Sequence, residues 1–281
     1  MPLSFHKMHA NGDDFVIVDS RNSANPMTSA LAQRLGDRHR GIGFNQLAVV
    51  LDCDDAAARL MFWNADGSTL DACGSATRGA ADRLMRESNV TSIALRTNRG
   101  LLTCERTSSG AISVNMGGNR FSAGRIFPWP WNWILLFYHW RVTQQRPAWA
   151  IRTAPIFVDD LTAVDIATLG PTIETNPLFP LKTNVHFVQI INRKHIRLRI
   201  WERGGGIPLG SGSCSCGAAV NGIRRGLLDH CVEVECDGGT VTVRWDGVGP
   251  VFLIGPVETT FFGNGSRQSL LQAMNRRPSH N

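Results

Sequence analysis

The sequence predicts an α/β protein built from two halves of the same plan. The 281-residue chain is long enough for two ordinary domains, each with its own core. Apolar residues make up 43% and charged residues 19%, the balance of a globular chain rather than a disordered one. Strand-like and helix-like patterns also alternate in the same order twice, and each half places one small-residue helix after a strand and a Gly-rich turn.

In the first half, FVIVDS (15–20) and LAVVLD (47–52) read as strands, and NPMTSALAQRLGDRHRG (25–41) as a capped helix. RLMFWNADGS (59–68) is a strand running into a turn. CGSATRGAADRLMRESNV (73–90) is a helix starting close to Cys73, and IALRTNRGLLTCER with GAISVNMG reads as paired strands. The second half repeats the scheme. APIFVDD (154–160) is a strand, LTAVDIATLGPTIETN a helix with a turn, and NVHFVQI and IRLRIWERGGG are strands. SCSCGAAVNGIRRGLL (213–228) is the second small-residue helix, and VEVECDGGTVTVRWDG and PVFLIGPVETTFFG supply closing strands. From Ser266 onward the chain reads as a tail.

The formal net charge of +6 raises nucleic-acid binding as a class. Its densest cluster, NRKHIRLRI (192–200), alternates like a half-exposed strand, and no nucleic-acid motif accompanies it. The basic balance instead suits a small acidic substrate. No apolar run reaches the roughly 18–20 residues of a membrane span, and MPLSFHKMHANGDD lacks the apolar core of a secretory signal, so the expected location is cytoplasmic.

Seven cysteines, at 53, 73, 104, 214, 216, 231 and 236, are odd in number and widely spread, which is not a disulfide framework. PLGSGSCSCGAAV (208–220) leaves three readings open: a metal clip, a redox pair, or the edge of an active site. Without a paired CxxC or His cluster the zinc reading is weak, and no metal is expected. Buried, reduced thiols account for most of the others.

Three stretches, NADGSTLDACGSATRG (64–79), TNVHFVQI (183–190) and WERGGGIPLGSGSCSCGAAV (201–220), together resemble the diaminopimelate epimerases. Around them KMHANGDDFVIVD, GIGFNQL, VNMGG, LGPTIETNPLFP and IGPVETTFFG follow that family's order. The resemblance covers nearly the whole chain apart from about 122–153 and the tail. It implies two pseudo-symmetric domains, each a curved mixed sheet around a central helix, with the site in the cleft between them. It also implies interconversion of LL- and meso-diaminopimelate by two-base proton transfer, with no metal or pyridoxal phosphate, a dicarboxylate amino-acid substrate and a homodimer. The first half-domain would span 1–118 plus 257–264, the second 119–256, with a tail over 265–281.

The chemistry explains the motifs. Epimerising an amino acid without a cofactor requires one group to remove the α-proton and another to return a proton to the opposite face. A thiol at a helix N-terminus suits both tasks, because free N–H groups and the helix dipole lower its pKa, and the same helix end can hold a carboxylate. Carried over by the resemblance, Cys73 is the first catalytic cysteine, followed by Gly74. Gln46, Asn64, Asn184, Glu202 and Arg203 are substrate contacts, with Arg203 forking onto a carboxylate and Glu202 tuning the site's protonation.

The second motif departs from the family. Glu202 and Arg203 fix the register without a gap, so the second catalytic position falls on Ser211, followed by Gly212 and Ser213, and Cys216 meets a non-catalytic cysteine. Cys214 lies about one helical turn further on and could help only if the loop re-registers. A serine hydroxyl is far less acidic than a thiol and is a poor base unaided, so impaired turnover is the expectation. The family's asparagine is Asp13 here, and its Asn-Gly after the first cysteine is Ser75-Ala76. Two alternatives follow: an inactive relative that binds a ligand or partner, and a one-base lyase resembling a hydroxyproline dehydratase.

One segment fits neither half. FPWPWNWILLFYHW (127–140) and Trp149 concentrate tryptophan. A membrane or partner patch is one explanation. Another is that AWAIRT (148–153) stands where the family carries Gly-Met-Gly-Asn-Pro-His, whose codons read one base later can give Ala-Trp-Ala-Ile-Arg-Thr. The hypothesis is that a stretch within about 127–156 is translated out of frame between compensating indels; an unshifted gene on resequencing would remove it. Either way Ile151 and Thr153 replace the family's Asn and His.

Overall fold

The computed structural model describes residues 2–118, 121–128, 134–140, 153–180 and 182–266. The expected tail beyond Ser266, and most of the tryptophan-rich segment, including Trp149 and Ile151, lie outside them.

The elements run β1 (Pro2–Ala10), β2 (Asp13–Asp19), α1 (Ser29–Gly36), β3 (Gln46–Leu51), β4 (Ala58–Asn64), β5 (Thr69–Leu70), α2 (Gly74–Glu87), β6 (Ser92–Thr97), β7 (Gly100–Arg106) and β8 (Ile112–Gly118). They continue with β9 (Phe121–Pro128), β10 (Ile134–Trp140), β11 (Thr153–Val158), α3 (Ile166–Glu174), β12 (Asn184–Asn192), β13 (His195–Trp201) and α4 (Gly212–Arg224). Last come β14 (Cys231–Cys236), β15 (Gly239–Arg244), β16 (Pro250–Gly255) and β17 (Glu258–Ser266). The chain divides into two compact units. One holds the residues through Ala10, Asp14–Arg106 and those from Val257 on; the other holds Asn11–Asp13 and Thr107–Pro256.

In the first unit β2 and β3 are parallel, β3 and β4 antiparallel, β4 and β6 parallel, and β6 and β7 antiparallel. β2 is buried at nearly every position, because both of its faces are covered. Val16 and Val18 pack with Leu31, Ala32 and Leu35 of α1, while Phe15 and Ile17 face Gly79 of α2. α1 is shorter than the 25–41 reading, starting after Thr28, whose side chain accepts the Leu31 amide. A hydroxyl at that point supplies one of the partners the first amides lack.

In the second unit the same connections recur. β11 and β12 are parallel, β12 and β13 antiparallel, β13 and β14 parallel, and β14 and β15 antiparallel. Val185 and Phe187 face the α3 side, while Val188, Ile196, Leu198 and Ile200 pack with α4. α4 is buried without a break from Cys214 to Ile223 and touches β11, β12, β13, β14, β15 and β16. A helix covered all round must be apolar or small all round, and that explains its run of Cys, Gly and Ala. Each large apolar side chain buried here contributes about 1.5–3 kcal/mol.

Two features differ from the sequence reading. β1 is a strand, paired antiparallel with β17 from Pro2 opposite Ser266 to His9 opposite Glu258. β8 pairs with β16, not with the β6–β7 hairpin, so residues 107–118 group with the second unit. Both pairings join segments far apart in sequence, which local periodicity does not report. All seven cysteines are free; Cys104, Cys214, Cys216 and Cys236 are buried, Cys53 and Cys73 half-buried and Cys231 exposed.

Candidate active site

The first unit gathers its polar residues at one strand end. Gln46 opens β3 and lies directly opposite Asn64, which closes β4. The NADGS turn is held by Asn64 N donating to Ser68 O (2.8 Å) and by Asn64 Nδ2 donating to Ser68 Oγ (3.0 Å). Gly67 at φ +83 allows the reversal, and a side chain there would strike the Ser29 carbonyl. The turn delivers the chain to Cys73, the N-cap of α2, with extended backbone at φ −139 and ψ 114. Its sulfur accepts the Ala76 amide at 3.4 Å and lies 3.6 Å from Gln46 Oε1. α2 has no acidic residue in its first turn, so the positive helix end above Gly74 and Ser75 is not neutralised from within.

The second unit builds a counterpart from different side chains. Glu202 follows Trp201 at the end of β13, and its backbone N–H donates to Gly206 O at 2.7 Å. Gly204 and Gly206, at φ +70 and +81, make the tight loop that returns the chain. Asn184 Oδ1 accepts the exposed Arg203 N–H at 2.9 Å. Ser211 is the N-cap of α4, again extended at φ −150 and ψ 115, but it makes no side-chain cap bond. Its hydroxyl lies 3.3 Å from Ser213 Oγ.

Burial pushes the half-buried Glu202 carboxyl above its usual range; the Ser211 bond opposes this and the charge of Asp13 adds to it. Asp13, expected as a substrate contact, is itself buried. Cys214 keeps the helical register and lies within the apolar core around α4. Burial pushes its thiol up, with Glu202's charge adding to the shift. It does not stand in for the missing thiol. Thr153 is also buried, under Gly217 of α4, where a Cβ would come within 2.8 Å of its Oγ1.

The first unit therefore brings together Gln46, Asn64, Cys73, Gly74 and Ser75, and the second Asp13, Asn184, Glu202, Arg203, Ser211, Gly212 and Ser213. Sequence reasoning missed the part played by Ser68, which fixes the Asn64 amide; the Asn-x-x-x-Ser spacing of a tight turn was its only signal. It also missed the clamp on the Asp13 loop. Asn11 Nδ2 donates to Thr240 O at 2.9 Å, and Gly12, at φ +76, packs on Leu209. Among the described residues no group of three or more His, Cys, Asp or Glu side chains is placed to hold a metal, and no helix is long and apolar enough to cross a membrane.

The sequence matches the family model described as diaminopimelate epimerase over residues 5–122 and 153–260. The match breaks across the tryptophan-rich segment. A diaminopimelate epimerase of Acidiphilium cryptum is 40% identical over 92% of this chain and 95% of that protein. One of Rhodospirillum centenum is 37% identical over 96% and 94%. These favour the epimerase reading over the inactive-relative and lyase alternatives. Among solved structures, a PhzF-family phenazine biosynthesis protein of Bacillus anthracis superposes with a TM-score of 0.68 at 17% identity, covering 94% of this chain and 99% of that one. A hydroxyproline epimerase of Agrobacterium vitis with bound trans-4-hydroxy-L-proline gives 0.65 at 13% identity, covering 94% and 92%. At such identities these two speak for the fold alone.

Proposed function

The chain belongs to the diaminopimelate epimerase family, and from that premise we propose which of its residues interconvert LL- and meso-diaminopimelate. Cys73 serves one face of the α-carbon as base and acid. The side of the site built on Ser211 serves the other. The amides of Gly74 and Ser75, and those of Gly212 and Ser213, offer helix-start donors to the substrate's carboxylates, which suits an anionic ligand. Gln46, Asn64, Asn184 and Arg203 orient it, with Arg203 pairing to a carboxylate by two parallel N–H bonds.

The observation that carries this reading is Cys73 itself. A half-buried thiol caps α2, accepts an amide N–H, and follows an ordered turn that holds Asn64 beside Gln46. Its counterpart is an alcohol, whose proton is held far more tightly than a thiol's. Turnover slower than that of a two-thiol enzyme is the consequence. We further propose a homodimer, on the family resemblance, and a cytoplasmic location, which suits seven unpaired cysteines.

Incubation with LL-diaminopimelate in deuterated water tests the assignment. The expected result is meso product carrying deuterium at the inverted α-carbon, lost in Cys73→Ala. Absence of both exchange and inversion at every pH overturns it. Light scattering on the eluted protein gives the oligomeric state; a monomer mass overturns the dimer.

A further inference from the structure

We propose that Lys7, Asp14 and Arg38 are positioning residues for Cys73: they pin the loop that delivers Gln46, whose side-chain carbonyl takes the Cys73 S–H and keeps the sulfur a directed thiol. The cluster's role rests on the epimerase reading above, for the part Cys73 plays, and deepens it. Every residue involved belongs to the first unit.

The stretch GIGFN (41–45) leads into β3. Backbone bonds and packing fasten its first residues. The Ile42 and Gly43 N–H groups both donate to Leu35 O, at 2.8 and 2.9 Å, and Phe44 is buried in the core beside α1. The rest is held by charge. The Asp14 carboxylate, on β2, accepts from Lys7 Nζ of β1 and, in a fork, from Arg38 Nη1 (3.0 Å) and Nη2 (2.7 Å) just after α1. Each cation then reaches the loop with a second bond. Lys7 Nζ donates to Gly43 O, and Arg38 Nη2 donates to Asn45 Oδ1 at 2.8 Å. Asn45 N–H completes the attachment by donating to Asp14 O at 2.9 Å. Residues 43–45 are thereby tied to both neighbouring strands and to the end of a helix.

The next residue is Gln46, where the β2–β3 ladder begins opposite Phe15. Its Oε1 lies 3.6 Å from Cys73 Sγ, with the thiol as donor. A thiolate cannot make that bond, so a well-placed carbonyl favours the protonated sulfur and aims its proton. S–H is a weak donor and glutamine a long, many-rotamer side chain. The bond therefore depends on both of its ends being fixed. The Ala76 amide holds the sulfur at 3.4 Å, and the cluster holds the backbone that carries the oxygen. The cluster itself is stiff. Lys7 is buried; burial works to raise the Asp14 carboxyl, but the bonds from Arg38 and Lys7 outweigh it and keep the group below its usual range. A carboxylate forked by arginine and shared with a buried lysine moves less than one in a single exposed pair.

The first test needs no substrate. Iodoacetamide alkylation at pH 7 is followed cysteine by cysteine with mass spectrometry in the unaltered chain, Asp14→Asn, Arg38→Gln, Gln46→Ala and Asp14→Asn/Gln46→Ala. Exposed Cys231 gives a reference rate, and buried Cys104 reports loss of the fold. Released from the carbonyl, Cys73 spends more time as thiolate, so its rate is expected to rise about threefold in both Asp14→Asn and Arg38→Gln. Charge acting through space predicts opposite signs instead, since losing an anion favours the thiolate and losing a cation disfavours it. Gln46→Ala gives at least the same rise, and adding Asp14→Asn to it changes the rate by less than about 1.5-fold. A slowed Cys73 in Arg38→Gln, or an Asp14→Asn effect undiminished without Gln46, overturns the proposal. Should Asp14→Asn fail to fold, Arg38→Gln decides alone, because that side chain is half in solvent. With LL-diaminopimelate in deuterated water, kcat is expected to fall about tenfold in Arg38→Gln; an unchanged kcat overturns the catalytic role. Absence of exchange in the unaltered chain overturns the epimerase reading, while the alkylation rates still decide whether the cluster positions the thiol.

Discussion

The two units offer the same frame twice and fill it differently. In the first, Trp63 and Asn64 end a strand, and Cys73 is the N-cap of a helix nine residues after Asn64; in the second, Trp201 ends a strand with Glu202 directly after it, and Ser211 is the N-cap of a helix nine residues after Glu202. Gln46 and Asn184 open the strands beside them, in register with the third and the first residue of the parallel neighbour: Phe15 opposite Gln46, Thr153 opposite Asn184. Six residues into each helix stands a glycine, Gly79 against Phe15 and Gly217 against Thr153. The backbone places a proposed proton carrier at both helix starts, Cys73 and Ser211, and the side chains decide what each can carry. In the first unit the carrier is sulfur bonded to the helix. In the second it is the oxygen of an alcohol that leaves its helix start uncapped and lies beside Ser213.

The largest test of that difference is removal of the sulfur. Cys73→Ala is expected to lower epimerisation by at least about 1,000-fold, whereas Ser211→Ala costs about 100-fold, both read from rates of deuterium incorporation. Equal losses would mean the two starts are chemically alike. Making them alike is the second test: Ser211→Cys should raise turnover by about 100-fold, in line with recovery of a positioned acid/base group. No rise would place the defect outside that side chain.

The glycines compare packing rather than chemistry. A Cβ at Gly79 would lie 2.4 Å from Phe15 Cε2, an aromatic ring fixed in the core. At Gly217 it would lie 2.8 Å from Thr153 Oγ1, and 3.7 Å from His186. Gly79→Ala should therefore cost about 3 kcal/mol in urea unfolding and Gly217→Ala about 2 kcal/mol. The reverse order would show that the second helix is the more tightly wedged.

The smallest effect concerns His186, fully buried beneath Gly217, where the first unit has Ala48 on the corresponding strand. Burial lowers the His186 pKa from 6.5 to about 3. Below pH 6.5 the unfolded chain takes up a proton that the folded chain refuses until about pH 3, so stability falls on acidification across that window. The loss is about 1 kcal/mol between pH 6.5 and 5.5, measured by denaturant midpoints, and His186→Met should remove it. An unchanged slope in that variant would assign the acid sensitivity elsewhere.

Local sequence determined the strands β2, β3, β4, β12 and β13, because their apolar runs are self-contained. It also placed the start of α2 close to Cys73 and that of α4 at Ser213, one residue past its observed first residue Gly212, since the Gly-rich turns and small-residue runs mark both starts. The register from Glu202 and Arg203 was enough to set the alcohol where a thiol was expected. Tertiary structure alone decided that β1 closes on β17 and β8 on β16, pairings whose partners lie more than a hundred residues apart. It alone decided that Ser211 leaves its helix start without a side-chain cap bond while Cys73 caps its own, and that Asn11 fastens the loop before Asp13 to Thr240. Periodicity reports which face of an element is apolar; which distant charge meets that face is settled only when the chain closes on itself.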